Sequence, residues 1–245
     1  MSHHDHGDHD HGDDDHGDRD PDRDPGERDR EQLAHQRHRM VDRDLRARGI
    51  VDERVLEAMD SVPRECFVPG HLRDVAYDDH ALPIAAGQTI SQPYIVALMS
   101  EALELSPEDR VLEIGAGSGY AAAVLGRLCR RVVTVERHHE LAVEAQRALA
   151  EVHAGNVVVV EGDGTMGHPA EAPYDAISVT AAAPQLVDAL LVQLADGGRL
   201  VAPVGDADNQ ELVRVRRIGD RFERRDLGGV RFVPLVGEGG RPAAT

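Results

Sequence analysis

The run Val111-Leu112-Glu113-Ile114-Gly115-Ala116-Gly117-Ser118-Gly119 constrains the fold more than any other part of this 245-residue chain. A short apolar strand ending in alternating glycines brings a ligand against bare backbone, as at the carboxyl ends of strands in α/β proteins. Beyond it the sequence alternates between strand and helix periods. Strands are expected at Val111–Ile114, Val132–Glu136, Val157–Glu161, Asp175–Val179 and Arg199–Pro203, and helices near 119–129, 139–151 and 184–195. This implies an α/β architecture, a mostly parallel central sheet with helices on both faces. The pattern then changes. Leu212–Arg217, Arg221–Arg225 and Val230–Leu235 read as short strands, with Gly219-Asp220 as the first turn, so a C-terminal antiparallel strand addition is expected.

Upstream, Met40, Val41 and Leu45 form one helical stripe, and Val51, Val55, Leu56 and Met59 form a second with Asp52 near its start. A third runs through Ile95, Val96, Leu98, Met99, Ala102 and Leu103. Order is expected to begin near Leu33, which divides the chain into a disordered tail over 1–32 and one folded domain over 33–245. The tail is low-complexity His/Asp/Gly/Arg sequence with no apolar residue to bury. Its His3, His4, His6, His9, His11 and His16 alternate with Asp, a composition able to hold divalent metal weakly, with a plain solvated tail as the alternative. No coordination geometry can be read from it, so no metal site is assigned.

The net charge of −18 argues against a nucleic-acid partner bound through phosphate neutralisation, and 3% aromatic content offers no base-stacking platform. No apolar run approaches a membrane span and no apolar signal core stands at the start, so a cytoplasmic, non-membrane protein is expected. The two cysteines, Cys66 and Cys129, lie far apart and read as buried free thiols in a reducing compartment.

Spacing decides which ligand the glycines receive. Gly115, Gly117 and Gly119 give GxGxG, with Tyr120 following, and not the GxGxxG of dinucleotide folds. S-adenosylmethionine carries no pyrophosphate and needs less of a phosphate cradle, which suits the shorter pattern. Glu136, 21 residues after Gly115, ends the next strand where a carboxylate accepts from ribose hydroxyls, and the Asp163-Gly164 pair follows the strand after that, where an acid accepts from an adenine amine. Glu113 would be costly to bury unpaired, and a cationic ligand end would partner it. Ordinary surface carboxylates at strand ends are the alternative for Glu136 and Asp163, and NAD(P) is the alternative ligand.

The glycine loop does not explain Gly87-Gln88-Thr89-Ile90-Ser91-Gln92-Pro93-Tyr94. Ser91 or Gln92 is placed to cap a helix, and Pro93 suits its first turn. A helix start with the Thr89 and Ser91 hydroxyls beside it makes a carboxylate receptor, unless Ser91 only caps.

Taken together, these segments resemble the protein-L-isoaspartate (D-aspartate) O-methyltransferase family. The resemblance is carried, in order, by Ser61-Val62-Pro63-Arg64, Phe67-Val68-Pro69, Leu82-Pro83-Ile84, the Gly87–Tyr94 string, Glu161-Gly162-Asp163-Gly164, Ala172-Pro173-Tyr174-Asp175-Ala176-Ile177, Gly197-Gly198-Arg199-Leu200, Pro203-Val204-Gly205 and Val230-Arg231-Phe232-Val233-Pro234-Leu235. It covers roughly residues 33–240. It implies a Rossmann-like S-adenosylmethionine-dependent methyltransferase fold, with S-adenosyl-L-homocysteine as the spent product. The family's active-site serine falls on Ser91, with Thr89 assisting. Its cofactor contacts fall on Gln88, Thr89, Ile90 and Ser91, on Gly115, Gly117 and Gly119, on Glu136, and on Asp163 and Gly164, with Glu113 added from its place in the strand.

The implied substrate is the free α-carboxylate of an L-isoaspartyl residue in a damaged peptide or protein, and the implied protein is a monomer. That carboxylate is ionised at neutral pH, with a pKa of about 3.5–4, and attacks a sulfonium methyl without a general base. The ester would then collapse to a succinimide that reopens partly to aspartate. Two other functions stay open: a same-fold carboxylate O-methyltransferase acting on aspartate in a peptide natural product, and a metal-buffering protein working through the His-rich tail.

Overall fold

The structure, a computed structural model, describes Met1 and residues 25–241. The histidines from His3 to His16, and with them the metal-binding expectation and most of the expected tail, lie outside the described residues. Helix α1 (Pro25–Met40) starts eight residues ahead of the expected boundary at Leu33. Glu, Arg and Gln dominate that stretch and favour helix without needing a buried face. Helix α2 (Glu53–Ser61) follows, with Asp52 accepting the Arg54 N–H at 2.9 Å as its cap. Its Val55, Leu56, Ala58 and Met59 are buried, while Val51, expected in the same stripe, is exposed.

A two-residue hairpin that the sequence did not announce comes next, β1 (Leu82–Pro83) against β2 (Thr89–Ile90). Helix α3 (Pro93–Ala102) leads into the alternating body: β3 (Arg110–Ile114), α4 (Tyr120–Leu128), β4 (Arg131–Glu136), α5 (His139–Glu151), β5 (Val157–Glu161) and β6 (Tyr174–Val179). A single helical turn, α6 (Asp188–Leu191), precedes the long strands β7 (Leu194–Gly205), β8 (Gln210–Ile218) and β9 (Arg221–Val230).

The seven strands lie in the order β5-β4-β3-β6-β7-β8-β9. Pairs from β5 to β7 are parallel, and β8 and β9 add antiparallel. Side-chain alternation splits the core in two. Val111 and Val132 face the layer containing α2, α3 and α4, whereas Leu112, Ile114, Val133 and Val135 face the layer containing α6. Chain order reverses at β3, whose neighbours are β4 on one side and β6 on the other. In open α/β sheets the ligand crevice lies outside the strand ends at such a reversal, and the glycine loop begins there.

Two expectations fail. The helix near 184–195 shrinks to the single turn α6. The apolar residues 184–195 have a helical spacing, but Ala182 and Ala183 form bridges to Pro234 and Val204, the chain bends just after them, and Val187 is still extended where the turn begins. The third C-terminal strand, Val230–Leu235, does not form either. Strand β9 continues unbroken to Val230, and the segment beyond it is held by scattered bonds, Phe232 to the Gln210 side chain, Ala182 N–H to the Val233 carbonyl and Leu235 N–H to the Ala182 carbonyl, without a strand ladder.

Arg199 on β7 locks the end of α3 to the sheet. Its guanidinium donates to the carbonyls of Leu103 (2.7 Å), Glu104 (2.6 Å) and Asp175 (3.1 Å) and to the Asp109 carboxylate (2.8 Å). Arg199 and Asp109 side chains are each only 12% exposed. Replacing Arg199 with Leu leaves that carboxylate with only the Ser106 N–H and takes a donor from three carbonyls, and should cost about 3 kcal/mol of stability, read as a lower midpoint in urea unfolding with the slope unchanged.

Candidate active site

The Gly87–Tyr94 string and the glycine loop face one cavity. Its walls are Gln88–Ser91 from the β2–α3 junction, Gly115–Ser118 after β3, Glu136–His138 at the end of β4, Gly164 after β5, and Val233–Val236 past β9. Free space, mouth included, is about 850 Å³.

Backbone conformation fixes the loop. Gly115 has φ 94°, and a Cβ there would lie 2.5 Å from Thr180 Oγ1. That hydroxyl donates to the carbonyls of Ile114 (2.9 Å) and Gly115 (2.7 Å). On the other side Glu136 accepts the Gly117 N–H and the His138 N–H, both at 2.9 Å. Each Glu136 oxygen keeps acceptor capacity toward the cavity, as a vicinal diol requires.

Three expected cofactor residues sit off the cavity wall. Gly119 begins α4 with φ 90° and packs on α5, where its Cβ would be 3.2 Å from that of Ala145. Asp163 is spent on the chain itself. Its Oδ1 accepts the Thr165 N–H (2.9 Å) and hydroxyl (2.7 Å), and its Oδ2 accepts the Glu238 N–H (2.8 Å). Partial burial works against ionisation, yet these hydrogen bonds hold its pKa below the ordinary value. Gly239 N–H adds a bond to Thr165 Oγ1 (2.9 Å), so residues past Val233 form a strap latched over the turn that carries Gly164.

Glu113 is the third. It is fully buried on the α4 side of the sheet, in register with Thr134 and Ser178 on the flanking strands. Thr134 donates to its Oε2 at 2.5 Å, and its Oε1 has no partner among the described residues. Burial pushes its pKa up to about 8, with the Thr134 bond pulling the other way and Glu136 adding to the rise. A neutral acid under the loop, in place of a carboxylate facing the ligand, is the outcome.

The start of α3 agrees with expectation in its cap position and in Pro93 at the first turn, but not in how the cap is made. Gln92 holds the cap position without a side-chain bond to the helix. Asp79, from the polar segment just ahead of β1, accepts the Tyr94 N–H at 2.9 Å and the Gln92 amide at 2.6 Å, and it pairs with Arg48. Arg48 in turn lies 3.7 Å over the Tyr94 ring. The helix mouth therefore already holds a carboxylate, and reception of a substrate acid falls to the neighbouring hydroxyls. Those of Thr89 and Ser91 have no partner among the described residues.

A second depression, about 1670 Å³ with its mouth, runs from Arg48, Asp79 and Tyr94 to Leu227, Gly229 and Val230. Thr89, Ser91, Thr180 and Val233 line both spaces. Asp79 and Thr180 were not picked out from sequence. The only available hints were that each is polar and stands beside a segment that was. Among the described residues no group of His, Cys, Asp and Glu is placed to hold a metal, and no helix is long and apolar enough to cross a membrane.

Residues 35–240 match the protein-L-isoaspartate(D-aspartate) O-methyltransferase family. A protein-L-isoaspartate O-methyltransferase of Herpetosiphon aurantiacus is 58% identical over 205 residues, 84% of this chain and 92% of the relative. One from Rhodopseudomonas palustris is 59% identical over 203 residues, 82% of this chain and 93% of the relative. Among solved structures, a protein-L-isoaspartate O-methyltransferase aligns with a TM-score of 0.73 at 30% identity, over 86% of this chain and 67% of that one. A Plasmodium falciparum structure in complex with S-adenosyl-L-homocysteine aligns with a TM-score of 0.71 over 82% of this chain and 98% of that one, and at 24% identity it speaks to the fold alone.

The raised pKa of Glu113 has a signed consequence. The folded state holds this proton up to about pH 8 and the unfolded chain releases it near 4.5, so stability falls as pH rises between those values. Glu113→Gln, neutral at every pH, should lose less stability than the parent between pH 5 and pH 8, read from urea midpoints.

Proposed function

This chain belongs to the protein-L-isoaspartate(D-aspartate) O-methyltransferase family, and on that premise we propose how its two adjoining spaces carry out methyl transfer to the free α-carboxylate of L-isoaspartyl residues. The cavity fits S-adenosylmethionine by its chemistry. Glu136 offers acceptors to a ribose diol, the Gly115–Gly117 backbone admits close approach, and Val135, Gly164 and Leu235 give an apolar wall to a base. When bound, this donor supplies an electrophilic methyl on a sulfonium sulfur. Gln88, Thr89, Ile90, Ser91, Gly115, Gly117, Glu136 and Gly164 hold it, while Glu113, Gly119 and Asp163 support the loops from behind.

The observation that carries the reading is the shared wall. Thr89 and Ser91 belong to both the donor cavity and the open groove, so an acceptor lying in the groove meets the methyl there. Ser91 donates its hydroxyl proton to one oxygen of the substrate carboxylate and aims the other, and Thr89 assists. With the donor bound, the carboxylate would form a bond to the methyl carbon as the carbon–sulfur bond broke, giving an ester and S-adenosylhomocysteine with no proton moved. Neutral hydroxyls suit this task better than a cation, because a strong donor would stabilise the anion and slow its attack. In-line positioning and water exclusion supply the rate. The ester then closes to a succinimide that reopens in part to normal aspartate, which starts repair.

The protein is taken to act as a monomer. The net charge of −18 and the free Cys66 and Cys129 support a cytoplasmic protein whose partners are damaged polypeptides and not nucleic acid. Labelled methyl should pass from S-adenosylmethionine to an isoaspartyl peptide and not to its aspartyl twin, and equal labelling of both would sink the assignment. Ser91→Ala should lower kcat about 10- to 100-fold, the worth of one hydrogen bond to a charged group, with the donor's Kd little changed.

A further inference from the structure

A small chamber lies behind Ser91 and adjoins the donor cavity, with which it shares Ser91, Val96, Ala121 and Thr180 as walls. About 10 Å³ of it is open to the centre of a water molecule, room for one. Four hydroxyl residues line it, Ser91, Ser100, Ser178 and Thr180, and the rest of its wall is apolar. Ser100 on α3 and Ser178 on β6 are each 3% exposed, and neither side chain has a hydrogen-bond partner among the described residues. Buried hydroxyls without partners are rare, and a bound water is their usual resolution.

The directions of the bonds follow from counting protons. Thr180 commits its proton to the Ile114 and Gly115 carbonyls, so it can only accept from the chamber. Ser91, if its proton aims the substrate carboxylate, also only accepts. Ser100 and Ser178 are free to donate. One water accepting from Ser100 and Ser178 and donating to Ser91 and Thr180 satisfies every group, with two protons and two lone pairs used.

We propose that this chamber is a water site, and that Ser100 and Ser178 act through the water as positioning residues, holding the Ser91 hydroxyl with its proton toward the methyl acceptor. Binding to the Ser91 lone pair from behind leaves a single productive direction for its O–H. Without that bond the hydroxyl can turn into the chamber and donate there. The register of β3 and β6, which sets Ser178 beside Glu113, keeps the whole row on the α3 side of the sheet.

The inference rests on Ser91 as the residue that aims the acceptor, and the test separates the two. With an isoaspartyl peptide as acceptor, Ser178→Ala should lower kcat about three- to tenfold, the net worth of one hydrogen bond, with the Kd for S-adenosylhomocysteine and the Tm near those of the parent. In a Ser91→Ala background the same change should have no further effect on kcat. Ser178→Val, which fills the chamber and excludes the water, should lower kcat at least as far. A high-resolution crystal structure with S-adenosylhomocysteine should show the water within 3.2 Å or so of the Ser91, Ser100 and Ser178 oxygens. A dry chamber, or losses from Ser91→Ala and Ser178→Ala that simply multiply, would overturn the water relay while leaving Ser91 in its role. Wild-type kcat in Ser91→Ala would instead remove the premise and the relay with it.

Discussion

The site depends on how tightly the backbone after β3 is gripped from both sides. Gly115 N–H reaches the Val135 carbonyl at 2.8 Å, the Gly115 carbonyl takes the Thr180 hydroxyl, and Gly117 N–H meets Glu136. These contacts draw on β4 and β6, the two strands that flank β3. The absence of a side chain at Gly115 lets Thr180 come close enough to hold the turn. A loop held this way presents its backbone to a ligand without reorganising, which is where positioning energy is conserved.

Four acids around the site serve as scaffolding. Asp79 fills the start of α3, Asp163 fastens the strap, Glu136 braces the glycine turn, and Glu113 is neutral beneath it. That arrangement reconciles a strongly acidic chain with an anionic acceptor. Glu136, Asp79 and Asp163 are tied to backbone amides, and the Thr89 and Ser91 hydroxyls, unpaired among the described residues, line the two spaces. Charge elsewhere on the surface is screened within about 8 Å in physiological salt.

Much of this was legible in the sequence, for reasons that differ by element. Strands β3 and β4 are covered on both faces and so read as apolar runs, and α5 shows its buried Leu141, Ala142, Ala145, Ala148 and Leu149 at helical spacing. The Gly87–Tyr94 string and Glu136 reached the cavity because each abuts an element whose end is marked. Residues that serve the site from a distance left no such mark. Asp79 is one acid in a polar connector, and its link to Tyr94 exists only in three dimensions. Glu113 shows the converse: its position in the motif suggested a ligand contact, but register against Thr134 turned it into the core. The helix expected near 184–195 failed because pairing with Val204 and Pro234, invisible locally, outweighed the period.

The strap past β9 links catalysis to the direction of synthesis. Val233–Val236 wall the donor cavity, and Glu238 and Gly239 hold them down, so the pocket is incomplete until those residues have left the ribosome. Strands β3 to β7 can pair before then, since every contact they need is already made. A nascent chain whose sheet has already paired therefore still lacks one wall of its donor cavity, and it completes that wall only with its last segment.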